Sequence, residues 1–515
     1  MKKRWLLLLL VVILGVAVYF WNQLPSRSDE FSTAGPEDVT MRFPANFKWG
    51  VALSGTQAES QQGSDWAAFE RDVITNHRFR AEQKLGTTEP GNIRAFGKWS
   101  DKVRRSNSNF DLMYPQDLAM AAAMGVNAFR ISFEWARLFP RADMTEPSPE
   151  GIAYYKALLA EMKRNHITPF VTLYHYVSPE WFFQADASGK RGWERRDALE
   201  HWQRYINAVA TNFVPDVEYW CTLNEPMVYL YSGYMEGLYP PLEERSDISD
   251  VADVYENLLR AHAIAYKTLH DAATDRKANV NVGIAQNVAA FSPLRNWSLM
   301  DRLTTYFVAQ VWDWDFLDAI ETGRLRVRLA GIDRTIPGLK GTEDYVGINY
   351  YSRNYVKGSW RHPMAFQTFD HDPDRAESRS ENGWTNFPRG LYAILTKADA
   401  KYHKPIYILE NGTCDSSADD IARQKYLVAH VREVWLAINQ GHVDVRSYLQ
   451  WSLIDNLEWV DGFDARFGLV AVDYENDFKR TPRPSAKLYG EIVHANALSP
   501  ELLKTTLAKP DRPTN

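Results

Sequence analysis

The 515-residue sequence predicts one α/β domain of the (β/α)₈ barrel (TIM barrel) class behind an N-terminal transmembrane helix. Three observations predict it. Short β-rich runs alternate with helical stretches through the body of the chain, as parallel strands joined by helical crossovers require. No Gly-rich phosphate turn follows the first run, as an open nucleotide-binding sheet would have. Almost every run ends in a hydrogen-bonding side chain, and barrels assemble their sites at the carboxyl ends of their strands.

The N-terminus differs from everything after it. Lys2, Lys3 and Arg4 precede an unbroken apolar run from Trp5 to Trp21, at the short end for a bilayer span. Tyr19, Phe20 and Trp21 close it, and bulky aromatics suit a membrane interface better than a peptidase site with small residues. We therefore expect residues 1–22 to be an uncleaved anchor, its basic end cytoplasmic and the catalytic domain on the far side. Secretion after signal cleavage is the alternative. Residues 23–42, with Pro25, Ser26, Ser28, Ser32, Gly35 and Pro36, show no period and suit a linker. The domain should span 43–498, with a tail at 499–515.

Within the domain the candidate strands are Phe47–Leu53, Ala128–Phe133, Thr168–Tyr174, Glu218–Leu223, Asn281–Ala285, Tyr345–Ile348, Ile406–Leu409 and Val445–Trp451. Ser148 can cap a helix with Pro149 at its first position, and Ile152, Tyr155, Leu159 and Met162 then share a face. A second helix begins near Asp197 and carries Leu199, Trp202, Tyr205, Ile206 and Val209.

A formal charge of -6, from 59 Lys+Arg against 65 Asp+Glu, offers no field for a polyanion, so nucleic acid is not an expected partner. The 18 Trp and 26 Tyr fit either sugar-stacking platforms or an aromatic core. Only Cys221 and Cys414 could pair, and both are expected to be free packing residues.

The strand ends offer Gln57, Arg130, His175, Asn224 with Glu225, Asn287, Asn349 with Tyr351, Glu410 and Trp451. Cleaving an acetal with net retention needs a carboxylate nucleophile and a carboxylic acid about 5 Å apart. Glu225 and Glu410 are the candidates.

Their surroundings sharpen the choice. Phe43-Pro44-Ala45-Asn46-Phe47-Lys48-Trp49-Gly50, Phe129-Arg130-Ile131-Ser132, Thr172-Leu173-Tyr174-His175, Thr222-Leu223-Asn224-Glu225-Pro226, Asp344 to Tyr351, Ile408-Leu409-Glu410-Asn411-Gly412, and Trp451 to Trp459 with Arg466-Phe467-Gly468 occur in this order. From about Phe43 to Ile492 the chain resembles glycoside hydrolase family 1. The resemblance implies that Glu225 is the acid/base, Glu410 the nucleophile, and Arg130 and Tyr351 the partners that keep Glu410 ionised. Glu225 would give a proton to the leaving group and take one from water once glycosylation has removed the Glu410 charge.

The resemblance further implies that Asn224 holds the sugar 2-hydroxyl. Gln57, His175, Glu458 and Trp459 would grip the other hydroxyls, and Trp451 would lie under the ring. Asn287, Asn349 and Phe467 join this substrate-binding set. No metal or cofactor is called for, and the expected partner is a glycoside. Glu458 would repel a 6-phosphate, so a neutral sugar of glucose or galactose type is expected.

Departures lie at the rim. Tyr176-Val177-Ser178-Pro179 follows His175 where the family commonly has Trp-Asp-Leu-Pro, Asn109 to Tyr114 replaces a His-rich segment, and the polar stretch Gly63–Asn109 is a candidate lid. These features and the apolar N-terminus look more like archaeal β-galactosidases and the plant galactolipid-remodelling branch. A transglycosylase moving galactosyl units between membrane glycolipids is therefore the second reading. An inactive sugar-binding protein is the third, opposed by the presence of both Glu residues.

Overall fold

A computed structural model describes residues 24–27, 38–76, 99–327, 330–361, 366–375 and 377–509. Its centre is a closed ring of eight parallel strands. These are β1 (Lys48–Ala52), β2 (Ala128–Ser132), β3 (Thr168–Thr172), β4 (Tyr219–Asn224), β5 (Asn281–Pro293), β6 (Val346–Gly358), β7 (Ile406–Asn411) and β8 (Val445–Trp451). Each pairs with its successor, and β8 pairs with β1 to close the ring. The predicted barrel and its eight strands are therefore present.

The principal crossover helices are α1 (Phe110–Ala123), α2 (Pro149–Arg164), α3 (Ala198–Phe213), α4 (Ala252–Arg276), α5 (Leu299–Ala309), α6 (Asp315–Thr322), α7 (Pro388–Tyr402) and α8 (Ile421–Asn439), and α9 (Pro484–Ala495) follows β8. The α2 start is as read, with Ser148 Oγ accepting from the Gly151 N–H at 3.1 Å and Pro149 at the first turn. In α3, Trp202, Tyr205, Ile206 and Val209 are buried, which gives that helix its inward stripe.

Strands covered on both faces must be apolar on both, and β2 is buried at every position. Inside the ring Ala128, Phe170, Cys221, Ala285, Tyr345, Tyr407, Leu409 and Leu449 form a packed floor. Space there is tight: a Cβ on Gly347 would lie 2.1 Å from the Ile284 carbonyl oxygen, so only glycine fits. Cys221 and Cys414 are buried and free, as expected.

Three boundaries differ from expectation. β5 and β6 run eight and ten residues beyond their predicted ends, because past the barrel they keep pairing with each other from Ala290–Arg353 to Pro293–Val356. Within the expected linker, Arg27 is buried against the barrel and Met41–Arg42 pairs with Ala497–Leu498. In the expected tail, Pro500–Leu507 is a helix capped by Ser499, with Leu503 buried. Among the described residues no helix is long and apolar enough to cross a membrane, and the run Trp5–Trp21 lies outside them.

The hairpin Val470–Asp473/Lys479–Pro482 is tied to α1 by an ion pair sealed from water. Arg480 Nε and Nη2 each donate to Asp117 at 2.8 Å, and both side chains are fully buried. Arg480→Met would strand a buried carboxylate, and a loss of about 3–5 kcal/mol is expected. Denaturant unfolding checks this, and Asp117→Leu in the same chain should restore part of the loss.

Candidate active site

The carboxyl ends of the strands enclose a cavity of about 250 Å³ whose wall includes His175, Asn224, Glu225, Asn287, Tyr351, Glu410, Trp451, Glu458 and Trp459. Arg130, Asn349, Gln57 and Phe467 stand behind this wall, all buried. The predicted set thus gathers at one place, in two layers.

The inner layer is organised by β6. Asn349 donates from Nδ2 to Glu225 Oε1 at 2.8 Å, and the Tyr351 hydroxyl donates to Glu410 Oε2 at 2.5 Å. Residues two apart on a strand point to the same face, so one strand holds both carboxyl groups on one side of the barrel mouth. Arg130 completes the bracket. Its Nη1 donates to Glu410 Oε1 at 2.5 Å, Nη2 to Asn224 Oδ1 at 2.7 Å and Nε to Thr172 Oγ1 at 2.9 Å.

Because Asn224 Oδ1 accepts from Arg130, its Nδ2 faces His175 Nε2, 2.9 Å away. Burial and the Arg130 charge push the His175 ring well below its usual pKa, so it is neutral. The Asn224 amide then donates to Nε2, which places the ring proton on Nδ1, a buried atom with no partner among the described residues. The buried Gln57 Oε1 likewise has no partner among the described residues, while its amide donates to the Leu457 carbonyl at 2.6 Å. A donor and an acceptor are thus left unsatisfied, as sites for polar ligands leave them.

Glu225 and Glu410 differ in their surroundings. Burial pushes the Glu410 carboxyl up to about 7, against the pull of Arg130 and with a further push from the Glu225 charge. Arg130 and Tyr351 are in place as expected, yet burial outweighs them. An attacking carboxylate must be ionised, so kcat/KM is expected to fall as pH drops through about 7. A pH profile under subsaturating substrate checks this limb.

Glu225 Oε1 receives two amide donors, Asn349 and Asn287, the latter at 3.1 Å. Oε2 receives the Tyr176 hydroxyl. An amide N–H₂ cannot accept, so a proton on Glu225 belongs on Oε2, beside the one neighbour that can both donate and accept. Burial and the Glu225 charge hold Tyr176 well above the usual phenol range, so it keeps its own proton. Tyr176→Phe removes the hydroxyl that donates to Glu225 Oε2, and a fall of about tenfold in kcat/KM is expected. Unchanged kcat/KM would reduce Tyr176 to packing.

Several wall residues carry no sequence signal for a role at the site. Tyr176 stands out in the sequence only as a departure from the family pattern. Trp312, whose Nε1 donates to Asn287 Oδ1 at 3.0 Å, sits in a widened turn, Gln310–Trp314, between α5 and α6 that no local pattern announces. Asp370 and Asp461 also line the mouth. Of the candidate lid Gly63–Asn109, residues 77–98 lie outside the described residues, and Trp66 packs on Trp459 at 4.6 Å between ring centroids.

Tyr176, Glu225 and Trp459 all have left-handed backbones, with φ of 68°, 42° and 45°. Such conformations cost side-chain-bearing residues about 1–3 kcal/mol each and collect at functional sites.

Paired carboxyl groups in a polar cavity at the mouth of a (β/α)₈ barrel define an O-glycosyl hydrolase. The sequence description Glycosyl hydrolase family 1 matches residues 39–498, and the chain belongs to that family. It is 30% identical over 474 residues to Beta-glucosidase A of Thermotoga maritima, covering 89% of this chain and 99% of that protein. It is 29% identical over 517 residues to the Beta-galactosidase of Saccharolobus solfataricus, covering 92% and 99%. Among solved structures, the beta-glycosidase from Pyrococcus horikoshii superimposes with a TM-score of 0.76 at 33% identity, over 92% of this chain and 99% of that one.

Proposed function

We propose that the chain is a retaining β-glycosidase that releases a terminal, unphosphorylated glucose- or galactose-type residue by way of a covalent glycosyl-enzyme. The observation that carries this reading is the pair of carboxyl groups held by Asn349 and Tyr351 of one strand. Glu410, bracketed by Arg130 and Tyr351, attacks the anomeric carbon. Glu225 protonates the departing oxygen from Oε2, and the same residue then takes a proton from the water that releases the sugar. In the glycosyl-enzyme the new ester removes the Glu410 charge, and Arg130 keeps Asn224 and Thr172 as partners.

The wall supports a neutral sugar. Among the described residues it carries Glu225, Glu410, Glu458, Asp370 and Asp461 and no Lys or Arg. Burial and the Asp461 charge raise the Glu458 carboxyl, and burial with Asp370 pushes Asp461 up to about 6. An added phosphate would find carboxyl groups and no cation on this wall. Relatives span the chemistry in question: a 6-phospho-beta-galactosidase of Streptococcus equi subsp. zooepidemicus is 29% identical over 507 residues.

We further propose residues 5–21 as a membrane anchor with the catalytic domain on the far side, supported by the basic start and aromatic close of that run. The test of function offers the full chain in detergent a panel of aryl β-glycosides, with and without a galactolipid acceptor, beside Glu410→Gln. Free sugar from wild type and none from the variant is the expected result. Dominant transfer product would replace hydrolysis by transglycosylation, and equal silence of both proteins would sink the catalytic assignment.

A further inference from the structure

Residues 24–27 are held tightly on the catalytic side of the barrel. Arg27 donates from Nη1 to Asp372 at 2.7 Å and from Nε to the Pro293 carbonyl at 2.9 Å, its backbone N–H donates to Asn296 Oδ1 at 3.0 Å, and its guanidinium lies 4.8 Å from the Tyr355 ring centroid. Arg302 of α5 donates to the Leu24 carbonyl at 2.8 Å. These partners belong to the overhanging ends of β5 and β6 and the elements that follow them.

The same region carries an unusual surface. Of the ten large hydrophobic residues that are exposed among those described, six fall here: Trp297, Leu299, Tyr306, Phe307, Trp360 and Phe366, with Trp297 76% and Trp360 67% exposed. The elements that carry them are neighbours. Trp297 directly follows Asn296, which binds Arg27. Gly358, at the end of β6, pairs with Phe366 and abuts Met300 and Thr304 of α5, and Trp360 lies two residues on.

The apolar run ends at Trp21, three residues before Leu24. Three residues of chain reach at most about 10 Å, so only a short tether separates that run from docked Leu24. Trp and Tyr are also the residues that gather where protein meets lipid headgroups.

We infer that this aromatic face rests on a lipid bilayer, with docked residues 24–27 fixing the rim of the catalytic cavity beside the membrane surface. The inference rests on the anchor reading of residues 5–21. Its consequence is orientation: Ser352 and Asn354 of β6 and Asp370 line the cavity, so the same overhang forms both the membrane contact and part of the substrate entrance. A glycoside carried on a lipid would reach the site without leaving the membrane.

The test uses the full chain in phosphatidylcholine vesicles. Flotation reads the anchor by itself. Tryptophan quenching by phosphatidylcholine carrying a doxyl group near the headgroup then compares wild type with Trp297→Phe/Trp360→Phe, which keeps the rings apolar. The expected result is flotation of both and a smaller quenchable emission in the double variant. Arg27→Ala with Trp297→Ser and Trp360→Ser should still float but lose more than about fivefold on a vesicle-borne long-chain alkyl β-glucoside, with soluble aryl glycoside turnover retained.

Identical quenching in wild type and the Phe variant overturns the inference even if both float. Failure to float overturns the anchor reading and the inference together. If quenching is unchanged while the Ser variant turns a dimer in detergent into a monomer, the face is a contact between copies and the inference is wrong.

Discussion

Glu410→Gln is expected to lower turnover of an aryl β-glucoside by at least about 10⁴-fold. The substitution keeps the shape of the side chain but removes the charge that attacks. Arg130 retains Asn224 and Thr172, so the cavity has the means to keep its form. The loss should fall on kcat/KM for every substrate alike, because each must pass through the glycosyl-enzyme. A panel of leaving groups measures this directly. Substantial residual activity on activated substrates alone would assign the attack to another group.

Glu225→Ala should behave differently, and the difference identifies the acid. With an alkyl β-glucoside, whose leaving oxygen must be protonated, a loss of about 10²–10⁴-fold is expected. With a dinitrophenyl glycoside the first step needs no proton and the loss should fall on release of the sugar, so an initial burst of phenolate should precede slow turnover. Azide, which needs no general base, should restore the second step and yield a β-glycosyl azide, the configuration of the starting glycoside. An α-azide would reject retention, and an equal loss on both substrates would deprive Glu225 of its acid role.

Most of this site could be read from the sequence because barrel chemistry is linear in the chain: each strand delivers its side chain at its carboxyl end. Asn224 ends β4, Trp451 ends β8, and Glu410 lies one residue from the end of β7. Motifs around these ends specify both backbone and side chain, and the structure brings them together. What was missed depends on contacts between distant segments. Beyond Ala285 and Ile348 the apolar runs are interrupted, by Gln286-Asn287 and by Asn349, yet β5 and β6 continue because each gives the other its hydrogen bonds. Trp312 reaches Asn287 only because a turn between α5 and α6 widens at that point. Arg27 sits in a stretch composed like a flexible tether, and it is held by Pro293, Asn296 and Asp372, all more than 260 residues away.

Burial accounts for one reversal. Sequence places a cation and a phenol beside Glu410 and so points to a carboxyl held low, but it does not convey how completely the barrel removes water from that carboxyl. The desolvation decides the direction.

The left-handed backbones of Tyr176, Glu225 and Trp459 have a bearing on attempts to make this enzyme more heat tolerant. A search for stabilising substitutions would favour Gly or Asn at these three positions, since each would relax its backbone. Each would also delete a ring or carboxyl from the cavity wall. Durability and turnover therefore draw on the same residues here, and gains in thermal tolerance have to come from elsewhere in the barrel.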